Sequence, residues 1–220
     1  MKLEEMAAFF EARLDGYDDH MRKNIAGAEA FYPYTAAQLP GNPGAKVLDL
    51  GCGTGLELEE YFLLNPEGEI TGIDLSSGML AALREKFPEK KMHLICGSYF
   101  TVPFGKYCYD AAVSVESLHH FTREEKLPLY EKLCAALKIG GCFVLTDYFA
   151  LSKEEEQENF CQLRSLKQEQ GIADGMFYHY DTPLTVEHEI EVLRSTGFSS
   201  VEVLRNWGAT YTLKAVKTRP

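Results

Sequence analysis

The 220-residue chain has no C-x-x-C pair, no long apolar run and no excess of basic residues. Each absence removes a class of function. Its six cysteines, Cys52, Cys96, Cys108, Cys134, Cys142 and Cys161, are scattered, and several lie in apolar runs where a thiol behaves as a small hydrophobe. Neither a disulfide framework nor a metal site is expected. No apolar stretch approaches the length that spans a bilayer, so no membrane partner is expected. Met1-Lys2-Leu3-Glu4-Glu5-Met6 is acidic and amphipathic rather than basic and then apolar. It does not read as a secretory signal, and a reducing, cytoplasmic location is the default. With 22 Lys and Arg against 33 Asp and Glu, the net charge is −11. Tight binding to a phosphate backbone needs clustered cations, so direct nucleic-acid binding is not expected.

What is present fits one soluble globular domain: 45% hydrophobic and 25% charged residues, without internal repeats or low-complexity segments. Apolar runs predict strands near 46–50, 69–73, 91–96, 108–115 and 141–149. Amphipathic segments predict helices near 55–64, 77–87, 123–138, 152–170 and 184–196. Ser152 is the expected cap of the fourth of these, ahead of Glu154-Glu155-Glu156, since acids favour a helix N-terminus. Runs 200–206 and 209–217 around Trp207-Gly208 predict a terminal hairpin that adds an antiparallel strand at one sheet edge. Before the first strand, two helical pieces are expected, broken near Asp15-Gly16, the second stopping at Pro33. Strands alternating with helices imply an α/β, doubly wound, mainly parallel seven-stranded sheet.

Val47-Leu48-Asp49-Leu50-Gly51-Cys52-Gly53-Thr54-Gly55 is the most informative stretch. An apolar strand ends in an acid and three closely spaced glycines, which let backbone approach a ligand without Cβ interference. Asp74 follows at the end of Glu69-Ile70-Thr71-Gly72-Ile73, where a carboxylate accepts hydrogen bonds from ribose hydroxyls. The third glycine comes one residue too early for a G-x-G-x-x-G pyrophosphate fingerprint, which argues against a dinucleotide.

These residues resemble the class I S-adenosylmethionine-dependent methyltransferases. Val47 to Gly55 is similar to the family's first motif and Gly72 to Leu80 to its second, with likeness from about Lys46 to Phe149. The resemblance implies a Rossmann-like methyltransferase domain over 45–220, with a helical insertion around 152–182 and a helical lid over 1–44. It implies S-adenosyl-L-methionine as cofactor. Gly51, Cys52, Gly53 and Gly55 would cradle it, Asp49 would meet its ammonium and Asp74 its ribose. Leu75 and Met79 would wall the adenine, with Gly97, Ser98 and Tyr99 after the third strand. Ser98 stands where many members carry an acid. Tyr17 would cover the cofactor from the lid, and Glu116 would face the sulfonium.

A methyl acceptor that keeps its proton needs a base. Glu116, His119 and Asp147 are the leading catalytic candidates, with His120 and His179 also within the expected reach. Adjacent residues point to different sides, so at most one of His119 and His120 is expected in the pocket. The Asn-Pro-Pro-Tyr signature of amide and nucleobase methylation is missing after the fourth strand, which favours a small-molecule acceptor. Met176 to Tyr180 form an aromatic cluster suited to an acceptor pocket or to plugging one. A homodimer is compatible with this reading. Two alternatives stay open: an enzyme similar to carboxy-S-adenosylmethionine synthase, with Arg164 or Arg194 holding the carboxylate, and a binding module without turnover.

Overall fold

The computed structural model describes residues 1–173 and 175–219. β1 (Lys46–Leu50) lies in the middle of a seven-stranded sheet. Around it stand β2 (Glu69–Asp74), β3 (Met92–Cys96), β4 (Tyr109–Val115), β5 (Leu137–Tyr148), β6 (Ser200–Trp207) and β7 (Thr210–Val216). The order is β3-β2-β1-β4-β5-β7-β6, with β1 to β5 parallel and β7 antiparallel to both its neighbours. The doubly wound, mainly parallel sheet expected from the pattern is therefore present. The antiparallel strand is not the edge, however. β7 folds back between β5 and β6, and β6 forms the edge.

Alternation along the central strands builds two cores, one on each face. Leu48, Leu50, Ala112, Phe143 and Leu145 face one cluster, with Leu129, Leu133 and Val192. Val47, Ala111, Val113 and Val144 face the other, with Phe31, Leu58 and Leu83. Those partners come from α6 (Arg123–Ala136) and α8 (Val186–Ser195) on one side. On the other they come from α3 (Ala28–Ala36), α4 (Leu56–Leu64) and α5 (Ser77–Lys86). Local chemistry sets several boundaries. Ser76 Oγ accepts from Met79 N at 3.1 Å, and Thr122 with Glu125 forms a capping box. Ser152 caps α7 (Lys153–Glu169), whose first turn holds Glu154, Glu155 and Glu156.

Three boundaries differ from the sequence reading. The N-terminal segment makes three helices, α1 (Met6–Glu11), α2 (Tyr17–Asn24) and α3, and Pro33 lies inside α3 instead of ending a helix. Gly27, at φ 83°, restarts the chain, and burial of Phe31, Tyr32 and Ala36 holds α3 together despite the proline. α3 belongs to the core, so the cover over the site comes from α1 and α2 rather than from all of 1–44. β5 begins at Leu137, where a helix was expected to run to 138. Tyr109 pairs with Leu137 and Ala111 with Cys142, so the residues between them bulge out of the ladder.

Candidate functional site

Strand order reverses between β1 and β4, and a cleft opens outside the carboxyl ends of the strands there. It holds a cavity of about 500 Å³, measured to its open mouth. Of the residues expected to bind cofactor, Tyr17, Gly51, Gly53, Asp74, Leu75, Met79, Tyr99 and Glu116 line it. Met6, Phe10, Val115, Ser117 and His120 complete the wall.

The floor is built from backbone. Gly51 has φ 75°, and a Cβ placed there would stand 2.2 Å from Ser117 Oγ, so only glycine lets β1 and the β4 end approach this closely. Gly53, at φ 47°, faces Tyr17 across open space, with the ring 3.9 Å from where a Cβ would sit. Asp74 joins the loop to α5. Its Oδ2 accepts from Gly53 N and its Oδ1 from Ser76 N, both at 2.9 Å. Burial raises this carboxyl above the ordinary range, while the backbone N–H groups of Ser76, Gly53 and Leu75 oppose the rise.

Several expected contacts lie elsewhere. Asp49 is fully buried beneath the loop and does not line the cavity; its neighbour there is Glu57, also buried. Neither Asp49 oxygen has a hydrogen-bond partner among the described residues. Burial, with the Glu57 charge next, pushes the Asp49 carboxyl well above its usual value. Cys52 points into the core against Gly72. Gly55 is the left-handed residue that starts α4. Gly97 and Ser98 fall outside the wall, and Ser98 Oγ accepts from Phe100 N at 3.2 Å, turning the chain so that Tyr99 enters instead.

The cover comes from α1 and α2, and carboxylates latch it. Glu11 accepts from Ser76 Oγ and from Gly78 N at the start of α5. Asp18 accepts from Thr54 Oγ1 and pairs with Lys86 Nζ at 2.7 Å. Arg22 meets Glu59 at 2.8 Å. The chain after α7 joins the same cover: Met6 N donates to Phe177 O and His179 N to Glu4 O, both at 3.0 Å. The Phe9 ring stacks on His179 at 3.5 Å. The expected aromatic cluster at 176–180 thus lies beside the lid.

The catalytic candidates sort differently from their sequence ranking. Glu116 follows β4 at φ 49°, uncommon for a residue with a side chain, and lines the cavity. Thr210 Oγ1 donates to it at 3.2 Å. Burial, then the Asp147 charge, raises its carboxyl to about 7. His119 and His120 sit on a single 3-10 turn, Leu118–His120, and both are buried with ring centres 4.0 Å apart. The expectation that they point to opposite sides fails because it assumed extended backbone. His119 Nδ1 meets Asp147 Oδ1 at 2.5 Å, and Asp147 Oδ2 accepts from Leu118 N at 2.8 Å. His119 and Asp147 therefore lie behind the wall, and His120 is the histidine on it. The paired acids outweigh burial and raise His119 to about 9. Asp181, which the sequence reading did not single out, has Oδ1 3.1 Å from His120 Nδ1 and 3.6 Å from His119 Nε2. Its only signal was a Tyr-Asp-Thr-Pro string, which reads as a turn.

Residues 47–141 match a family model described as a methyltransferase domain. The chain is 28% identical over 173 residues to the biotin biosynthesis bifunctional protein BioHC of Teredinibacter turnerae, covering 68% of this chain and 30% of that protein. It is 29% identical over 184 residues to a tRNA (carboxymethyluridine(34)-5-O)-methyltransferase of Xenopus tropicalis, covering 83% of this chain and 27% of the relative. The chain thus spans under a third of either relative. Its fold matches phosphoethanolamine N-methyltransferase 2 of Haemonchus contortus, solved with S-adenosyl-L-methionine, at TM-score 0.71 and 17% identity, over 95% of this chain and 57% of that one. No helix among the described residues is long and apolar enough to cross a membrane. The methyltransferase-domain match spans β1 to β4, the strands that build the cavity, and the fold is the one seen in S-adenosylmethionine-dependent methyltransferases.

Proposed function

We propose that this chain transfers a methyl group from S-adenosyl-L-methionine to a small-molecule acceptor. The observation that carries the reading is the bridge from Asp74 to Gly53 on the floor of a cavity roofed by Tyr17 and Phe10. The residues present suit the cofactor. Two glycines leave the floor without side chains, Leu75 and Met79 offer an apolar wall, and Asp74 offers carboxylate oxygens at the strand tip.

The sulfonium supplies an activated methyl, so the protein's task is alignment and exclusion of water. Tyr17, Phe10 and Met6 shut the cavity from above, while the β4 end presents Glu116 and His120 to whatever lies beside the cofactor. A net charge of −11 supports a small acceptor over a polyanion, although one relative acts on tRNA.

Titration calorimetry tests the reading. Wild type should bind S-adenosylmethionine and S-adenosylhomocysteine, and Asp74→Ala should lose most of that affinity. Failure of wild type to bind either nucleoside would refute it. Incubation with methyl-labelled cofactor and separate metabolite and tRNA fractions then locates the acceptor. Label in the tRNA alone would overturn the small-molecule assignment, and S-adenosylhomocysteine release in neither fraction would favour a non-catalytic module.

A further inference from the structure

The two adjacent histidines differ in what holds their rings. His119 has acids on both ring nitrogens, Asp147 at Nδ1 and Asp181 at Nε2. His120 turns only Nδ1 towards acceptors, Asp181 Oδ1 at 3.1 Å and Tyr180 O at 3.4 Å. Nδ1 therefore carries its proton. Among the described residues Nε2 of His120 has no hydrogen-bond partner, and the ring lines the cavity beside Glu116.

We propose that His120 is the proton acceptor of methyl transfer, that Asp181 is its positioning residue, and that the reacting atom is a hydroxyl oxygen or an amine nitrogen. The inference rests on the methyltransferase reading and deepens it. As the acceptor's oxygen or nitrogen bonds to the methyl carbon, the carbon–sulfur bond breaks and its electron pair stays on sulfur. The acceptor's proton passes to His120 Nε2, and the imidazolium later returns it to water. An acceptor ionised in advance would need no such group.

The assignment rests on geometry. Thr182 N donates to His119 O at 2.8 Å, fixing the segment that carries Asp181 against the histidine turn. The titratable groups facing His120 are Asp181, His119 and His179. Burial, then the positive charge on His119, holds His120 down at about 4, so Nε2 keeps a lone pair at neutral pH. Among the described residues no lysine or arginine lines the cavity. Arg13, in the cover, is engaged by Glu4 at 3.2 Å and lies over the Phe9 ring. A phosphate or carboxylate next to the reacting atom would meet Glu116 and Asp181, and the charged His119 is already engaged by Asp147 and Asp181.

The test is nitrogen NMR of protein labelled with 15N-histidine, saturated with S-adenosylhomocysteine, with His120 assigned through His120→Gln. At pH 7 His120 should be neutral with the proton on Nδ1, and His119 charged. In Asp181→Asn that tautomer should lose its dominance while nucleoside affinity stays within about threefold. Phenol or benzylamine added to the wild-type complex should shift the Nε2 signal, and benzoate at the same concentration should not. A charged His120, an Nε2–H tautomer, an unchanged tautomer in Asp181→Asn, or equal shifts from benzoate would overturn the assignment. So would loss of nucleoside binding in His120→Gln, which would make that ring part of the cofactor site. These outcomes differ from failure of wild type to bind nucleoside, which strikes the parent reading alone.

Discussion

Asp74 and Gly53 are joined by a 2.9 Å hydrogen bond that ties the tip of β2 to the turn leaving β1. The same carboxylate holds Ser76 N, so one side chain fixes both the cavity floor and the start of α5. Removing it should cost binding more than folding. Asp74→Ala is expected to weaken S-adenosylhomocysteine binding by roughly 30-fold or more, the scale of one or two charge-assisted hydrogen bonds. The melting temperature should fall by only a few degrees, on the order of 1 kcal/mol. Calorimetry and a melting curve on the same sample decide it, and unchanged affinity would be the damaging result.

Asp18 holds the lid to two places, Thr54 on the glycine turn and Lys86 on α5. Cutting that latch should leave the floor intact but let the cover open more often. Asp18→Ala should speed release of S-adenosylhomocysteine by about tenfold, equivalent to roughly 1.4 kcal/mol. Amide exchange should rise in α1 and α2 and stay constant in β1 and β4. Stopped-flow release and exchange mass spectrometry report the two halves independently.

Lys126 Nζ lies 2.6 Å from Glu189 in the core between α6 and α8, and Tyr130 donates its hydroxyl to the same carboxylate. Both charges are almost wholly buried, at 2% and 0% exposure, so stranding one is expensive. Lys126→Met should destabilise the protein by about 3–5 kcal/mol, and Lys126→Met with Glu189→Leu should recover much of that loss. Urea denaturation measures each. A double variant no better than the single one would show that the pair is more than a balanced charge.

Glu116 and His119 each lend stability that falls as pH rises, in two windows, while His120, held down from 6.5 to about 4, opposes Glu116 in the lower one. Glu116 is raised from 4.5 to about 7 in the fold, so the unfolded chain releases that proton first. The stability it lends is complete below pH 4.5 and is lost by about pH 7. His119 is raised from 6.5 to about 9 by its paired acids, so its contribution is complete below pH 6.5 and fades through pH 9. Glu116→Gln should leave a net rise from His120 in the lower window, and His119→Gln should flatten the upper one. Unfolding free energy measured at intervals from pH 5 to 9.5 reads both slopes. A wild-type profile that rises across that range would contradict the assignment.

Much of this was readable from residue order. The apolar runs around Val47, Ile70 and Val113 gave the central strands because buried parallel strands must be apolar on both faces. The G-C-G-T-G turn and Asp74 gave the cavity floor because strand ends and backbone conformation are local properties. Caps at Ser76 and Ser152 followed from short-range hydrogen bonding. Errors arose where a local rule met distant packing. Pro33 should have stopped a helix, but burial of Phe31 and Tyr32 kept it going. Asp49 was expected to face ligand, but β1 alternation turns its side chain inward beside Glu57.

By itself, then, the sequence determined the sheet, the glycine turn and the strand-tip acid, all written in contiguous residues whose backbone preferences act within a few positions. Only the tertiary structure decided which groups meet at the chemistry. His120 and Asp181 are 61 positions apart, and no periodicity links them. The 3-10 turn after β4 and the segment after α7 bring them within 3.1 Å. Burial and the paired charges there then set which imidazole carries a proton, a property that exists only once the chain has closed around it.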